Sequence, residues 1–129
     1  MKLNPNCVRD ILISIENIEY NTSLSIEKLH ELMPAYSEEV LNYHCLKLLE
    51  AEYIQADSFL LPRQYLPRIS KIIALSYNGH QFLENIRSDT IWKHVINIVS
   101  KIGISSLPAI TQISSGVVTA LIKAELGLT

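Results

Sequence analysis

Arg63, Gln64 and Tyr65, followed closely by Arg68 and Lys71, gather cationic, amide and aromatic side chains into one stretch interrupted by Pro62 and Pro67. Guanidinium and ammonium groups grip phosphate oxygens, and a tyrosine ring can stack or enter a groove. The prolines bar a central strand and suit an exposed loop. A second set lies upstream, where Asn42, Tyr43 and Lys47 fall on what reads as one helix. Amide and ammonium groups there are the best candidates for base-edge contacts. Together the two sets describe a surface for double-stranded DNA, although a loop of the first composition is as readily a solvated surface.

Other chemistry has less material. His80 and Glu84 stand one turn apart and share a helix face, but no third ligand is identifiable, and divalent sites need three or four. No metal and no cofactor are therefore expected. His44 reads as a hydrogen-bonded interior histidine, and His30 and His94 as surface ones. Cys7 and Cys45 have neither disulfide-framework nor metal spacing and read as small buried hydrophobes in a reducing compartment. With no glycine-rich phosphate loop, no nucleophile elbow and only 4 glycines, the chain is not expected to be an enzyme.

The elements that must position these residues are legible from caps and periodicity. Asn4-Pro5 starts a helix whose apolar face is Val8, Ile11, Leu12 and Ile15, and polar turn formers from 17 to 21 end it. Ser25 caps a short helix with Leu24 and Leu29 as a hydrophobic staple, and Pro34 closes it. A third helix runs from Ser37 to about Ala51, burying Val40, Leu41, His44 or Cys45, and Leu48. Tyr53-Ile54 and Ile69 to Leu75 are strand-like and bracket a wing over about 55–72. Ser76 then caps a long helix with Phe82, Leu83 and Ile86 inward.

That order predicts a mainly α fold with a small β-wing: a winged helix-turn-helix over 1–88 and a C-terminal helical extension over 89–129. In the extension Ile91, Val95, Ile98 and Ile102 step like a coiled-coil seam, and Ile113, Val117 and Leu121 line a last helix. These seven predict a homodimer interface. Residues 102–122 carry no charge, yet Ser, Thr, Gln, Gly and Pro interrupt them, so no membrane span is expected.

Charge divides the functional readings. With 129 residues, 48% hydrophobic and 19% charged, the chain can bury a core, but its net charge of -2 supplies no global basic field. Across 37–54, Lys47 stands against Glu38, Glu39, Glu50 and Glu52; across 55–72, Arg63, Arg68 and Lys71 stand against Asp57. The wing is thus basic and the third helix acidic. Glu38 and Glu39 would meet phosphates in the usual docking of such a helix, although acids in a first turn also stabilise the helix dipole by about 0.3–1 kcal/mol. Leu46 and Leu49 are placed outward, where a groove-reading helix would carry polar groups. The leading expectation is a DNA-binding transcriptional regulator that grips through the wing. The alternative is a protein–protein interaction module, an adaptor whose acidic third helix binds another protein.

Two motifs carry a resemblance. The opening Met1-Lys2-Leu3-Asn4-Pro5-Asn6-Cys7-Val8-Arg9-Asp10-Ile11-Leu12 resembles the start of a prophage-associated bacterial family known as domain of unknown function 2513. Leu75-x-x-x-Gly79-His80-x-Phe82-Leu83-x-x-Ile86-Arg87, followed by Trp92-Lys93, is similar to that family's second signature. The resemblance implies a phage or mobile-element setting in a bacterial cytoplasm, where the adaptor's partner would be a host or phage protein. It carries over no catalytic or binding residue.

Overall fold

Asn4, Ser25 and Ser37 each hold an extended backbone and turn a side-chain oxygen onto the first amides of a helix, so three short helices start where the sequence places their caps. A computed structural model describes residues 1–128. They divide into two compact units, Met1–His80 and the chain from Gln81 onward.

In the first unit α1 (Pro5–Glu16) buries Cys7, Val8, Ile11, Leu12 and Ile15. It packs on α2 (Ile26–Leu32) and α3 (Glu38–Glu50). The staple residues Leu24 and Leu29 are both buried. On α3 both His44 and Cys45 go inside, whereas Val40, expected in the core, is half-buried. Burial pushes both thiols up to about 12, as inert interior cysteines.

Glu52 takes a left-handed backbone (φ 63°) and turns the chain into β1 (Ile54–Phe59), which pairs antiparallel with β2 (Arg68–Leu75). The ladder has two register shifts: Ala56 faces Ile72 while Gln55 faces Ala74, and Ser58 faces Ile69 while Asp57 faces Lys71. Ile73 and Ser70 are therefore extra residues on β2. These bulges convert the strand's period of two into a spacing of three, so Ile69, Ile72 and Leu75 all turn inward. On its other edge β2 is bridged by Leu24, with Leu24 N donating to Ile72 O (2.9 Å) and Ile72 N to Leu24 O (2.7 Å).

Ser76 ties the end of β2 to the end of α3. Its amide donates to Tyr53 O (3.0 Å), its hydroxyl donates to Glu52 O (2.6 Å), and its Oγ accepts from Gly79 N (3.0 Å). The approach is so close that a Cβ on Gly79 would lie 2.0 Å from Tyr53 O. Only glycine fits there.

The long helix expected after Ser76 is interrupted. α4 (Tyr77–Ile86), along which the boundary between units falls, buries Phe82, Leu83 and Ile86 and then stops. Ser88 re-caps the chain through Ile91 N (3.4 Å) and starts α5 (Asp89–Ile102). A serine followed by Asp89 is a start signal that the apolar periodicity hides. Gly103, left-handed at φ 73°, ends α5, and Ser106 with Pro108 starts α6 (Leu107–Glu125). The two helices pack together, and their buried residues are Trp92, Val95, Val99, Leu107, Ile110 and Ser114. By length and composition alone, α6 could cross a membrane, and most of it is exposed.

Candidate nucleic-acid and protein interface

The base of the β1–β2 hairpin is built from side chains that the sequence offers to DNA. Arg68 Nη2 donates to Glu27 Oε1 (2.7 Å) at the start of α2 and to Glu38 Oε1 (2.8 Å) at the start of α3. One guanidinium thus clamps three elements. Its hydrogen bond to Glu38 leads the effects that raise its pKa, and Glu27 is held low by its own backbone hydrogen bond and then by Arg68.

Asn42 is committed as fully. Its Nδ2 donates to Pro67 O (3.0 Å) and its Oδ1 accepts from Ile69 N (2.8 Å), so the amide pairs with β2 as another strand would. Lys71 Nζ lies 3.7 Å from Asp57 across the ladder. Lys47 Nζ meets Glu50 at 3.1 Å and stands 5.3 Å from the centroid of the Tyr43 ring. The outer strip of α3 is then Glu39, Tyr43, Lys47 and Glu50, with its one cation neutralised locally.

The tip is different. A turn closed by Gln64 N donating to Leu61 O (3.1 Å) holds Arg63 in the left-handed region at φ 66°. Arg63 forms no ion pair with a described residue. Around it Phe59, Leu60, Leu61 and Leu66 are about half exposed and Tyr65 is 99% exposed. Cation and proline spacing does not reveal this apolar patch, whose signal in the sequence is a phenylalanine and leucines in a segment too proline-rich to be core.

Leu46 requires a correction. It is 6% exposed, and Leu49 is half-buried, because α3 packs on both β1 and β2 as well as on α1 and α2. A helix covered on two sides has no outward leucine stripe. Val95 is likewise corrected: it is wholly buried, while Ile91, Ile98, Ile113 and Val117 are half-buried, and Ile102 and Leu121 are exposed. The packing stripe of α5 is Trp92, Val95 and Val99, turned from the isoleucine seam.

His44 donates through Nδ1 to Val40 O (2.8 Å) and accepts at Nε2 from Asn4 N (2.8 Å), which fixes a neutral ring; burial lowers its pKa. His30, expected as a lone surface residue, is half-buried and bonded to Tyr36 O (2.7 Å). Among the described residues no group of three or more His, Cys, Asp or Glu side chains could hold a metal. An open groove of about 680 Å³ runs between the end of α1 and β2, past Glu19, Tyr20, Ile73 and His80.

A family model described as a hypothetical protein, DUF2513, matches residues 2–105. The chain belongs to the DUF2513 family. It is similar to an uncharacterised protein of Haemophilus influenzae, 30% identical over 125 residues that cover 95% of this chain and 99% of the relative. No solved structure matches. The DUF2513 match takes in the β1–β2 hairpin, α4 and α5 and ends before α6, whereas the Haemophilus relative covers nearly the whole chain.

Proposed function

We propose that this DUF2513 protein is a winged-helix interaction module of a phage-associated system, docking on a partner protein through its wing tip. The observation that carries this reading is the division of the wing: Arg68 and Lys71 are occupied by carboxylates, while five apolar and aromatic side chains around Arg63 are exposed. Covering the exposed half of Leu60, Leu61 and Leu66 on a partner would contribute roughly 0.8–1.5 kcal/mol each. Arg63 and Tyr65 are the residue types that most often anchor such contacts. The acidic outer strip of α3 repels phosphates and leaves the wing to act alone.

A second reading, the DNA-binding regulator, draws on one observation. The order α1, Leu24 bridge, α2, α3, β1, β2 is that of a winged helix, whose common use is to hold duplex DNA. In that reading Arg63, Gln64 and Tyr65 enter a minor groove beside Tyr43 and Lys47.

Anisotropy of a labelled mixed-sequence duplex at low and near-physiological salt separates the two. The interaction reading expects no binding at either salt. It also expects a photo-crosslinker at Leu61 to give one discrete protein adduct in cells, lost on Leu60→Asp with Leu66→Asp. Salt-steep binding that Arg63→Ala flattens by about one unit of slope would reject it in favour of the regulator.

A further inference from the structure

β1 lies at the edge of its sheet, with β2 on one side and no described strand on the other. The far side of β2 shows which backbone groups of β1 face that open edge. Ile72 turns both its N–H and its C=O onto Leu24, away from β1. Ala56 stands opposite Ile72, and residues opposite one another in an antiparallel ladder aim their polar groups either at each other or both away. Ala56 therefore presents its N–H and C=O outward, and by alternation so do Ile54 and Ser58. Both bulges lie on β2, so β1 keeps this alternation along its length. The carbonyls between agree with it: Asp57 O accepts from Ser70 Oγ (3.1 Å) and Tyr53 O from Ser76 N (3.0 Å), both toward β2. No described residue bonds to the outward groups of Ile54, Ala56 or Ser58.

A row of unpaired donors and acceptors is a template for another strand. The strand it fits is β1 itself. Turn a second β1 about a two-fold axis at Ala56, and Ala56 meets Ala56 while Ile54 meets Ser58. Every outward group is then paired, with two hydrogen bonds exchanged at each residue pair. On the exposed face the same register sets Gln55 of each copy opposite Asp57 of the other, an amide donor against a carboxylate. Asp57 already has Lys71 Nζ at 3.7 Å across its own ladder, so its charge enters the contact compensated. Moving the axis to Asp57 would set two carboxylates directly opposite, which is destabilising. Moving it to Gln55 would leave the outward groups of Ser58 unpaired.

We propose that the outer edge of β1 binds a second copy of this chain, the two hairpins joining in one four-stranded antiparallel sheet with its two-fold axis at Ala56. Residues 60–66 of the two copies then project in opposite directions, so the dimer offers two tips. The inference uses no tip residue and stands whatever partner the tips take. The contact is small, which places the dimer among transient interfaces of micromolar dissociation.

Sedimentation equilibrium and oxidative cross-linking of the full chain test it. The wild type should pass from monomer to dimer as its concentration rises through the micromolar range. Ala56→Pro removes an N–H at the axis, on the solvent side of an edge strand where proline is tolerated, and should leave a folded monomer. Gln55→Glu should raise the dissociation constant about three- to tenfold by facing Asp57, and adding Asp57→Asn should restore it. Cysteines read the register, since Cys7 and Cys45 are buried. Gln55→Cys with Asp57→Cys should cross-link two chains, because the two positions face each other across the axis. Asp57→Cys alone should not, because the two copies of residue 57 lie a diagonal step apart, about 7–8 Å. A monomer at every concentration, a dimer indifferent to Gln55→Glu, or cross-linking through residue 57 alone would overturn the proposal.

Discussion

The base and the tip of the β1–β2 hairpin use their polar groups in opposite ways. At the base Arg68 and Asn42 turn inward to neighbouring elements and bind carboxylates or strand backbone, leaving little to offer a ligand. At the tip Arg63 and Tyr65 have left the ladder and stand among exposed leucines. A basic count over residues 55–72 treats both as one surface. The structure separates a half bonded to α2 and α3 from a half exposed at the tip, and only the second half is a candidate site.

The largest expected effect lies where the base joins α4. A methyl group on Gly79 would overlap Tyr53 O, a backbone atom that cannot swing aside. Gly79→Ala should therefore cost about 3 kcal/mol or more in chemical denaturation, and a cost below 1 kcal/mol would mean that the β1–α4 joint is not the rigid foundation described.

Asn42→Ala comes next. It leaves Pro67 O and Ile69 N without the amide that pairs them, at about 2 kcal/mol. Asn42→Asp sharpens the point, since a carboxylate still accepts from Ile69 N but cannot donate to Pro67 O. Thermal melts should place it with the alanine variant or below it, and equality with wild type would show that the Pro67 bond contributes nothing.

Arg68→Ala should cost less, about 1 kcal/mol, because the guanidinium and both carboxylates remain partly open to solvent. The loss should shrink in 0.5 M salt. A salt-independent loss would assign the residue to packing rather than charge.

How much of this was legible in the sequence depended on range. Asn4, Ser25, Ser37 and Ser76 announce their helices through neighbours three residues away, and each is found capping. Pro62 and Pro67 likewise placed the hairpin loop. Arg68 could not be read, because Glu27 lies 41 residues off, and no local pattern says which acid a surface arginine will meet. The bulges at Ser70 and Ile73 were hidden for a related reason: they exist to bring Ile69, Ile72 and Leu75 onto one face, a requirement of the core and not of the strand. Leu46 failed because a helix packed on one side and a helix packed on two look alike until the sheet is in place.

The smallest expected effect is on the tip, and it is the most discriminating. Leu60→Ser with Leu66→Ser removes exposed apolar surface that no other element covers, so unfolding free energy should stay within about 0.5 kcal/mol of wild type. Solubility should rise as the patch shrinks. If this variant instead unfolds as readily as Asn42→Ala, the leucines are holding the hairpin together, the division between base and tip disappears, and the exposed residues belong to the scaffold. If it is as stable as wild type but loses a cross-linked partner, the tip is a surface kept apolar at no benefit to folding, and binding is the remaining reason for it to be so.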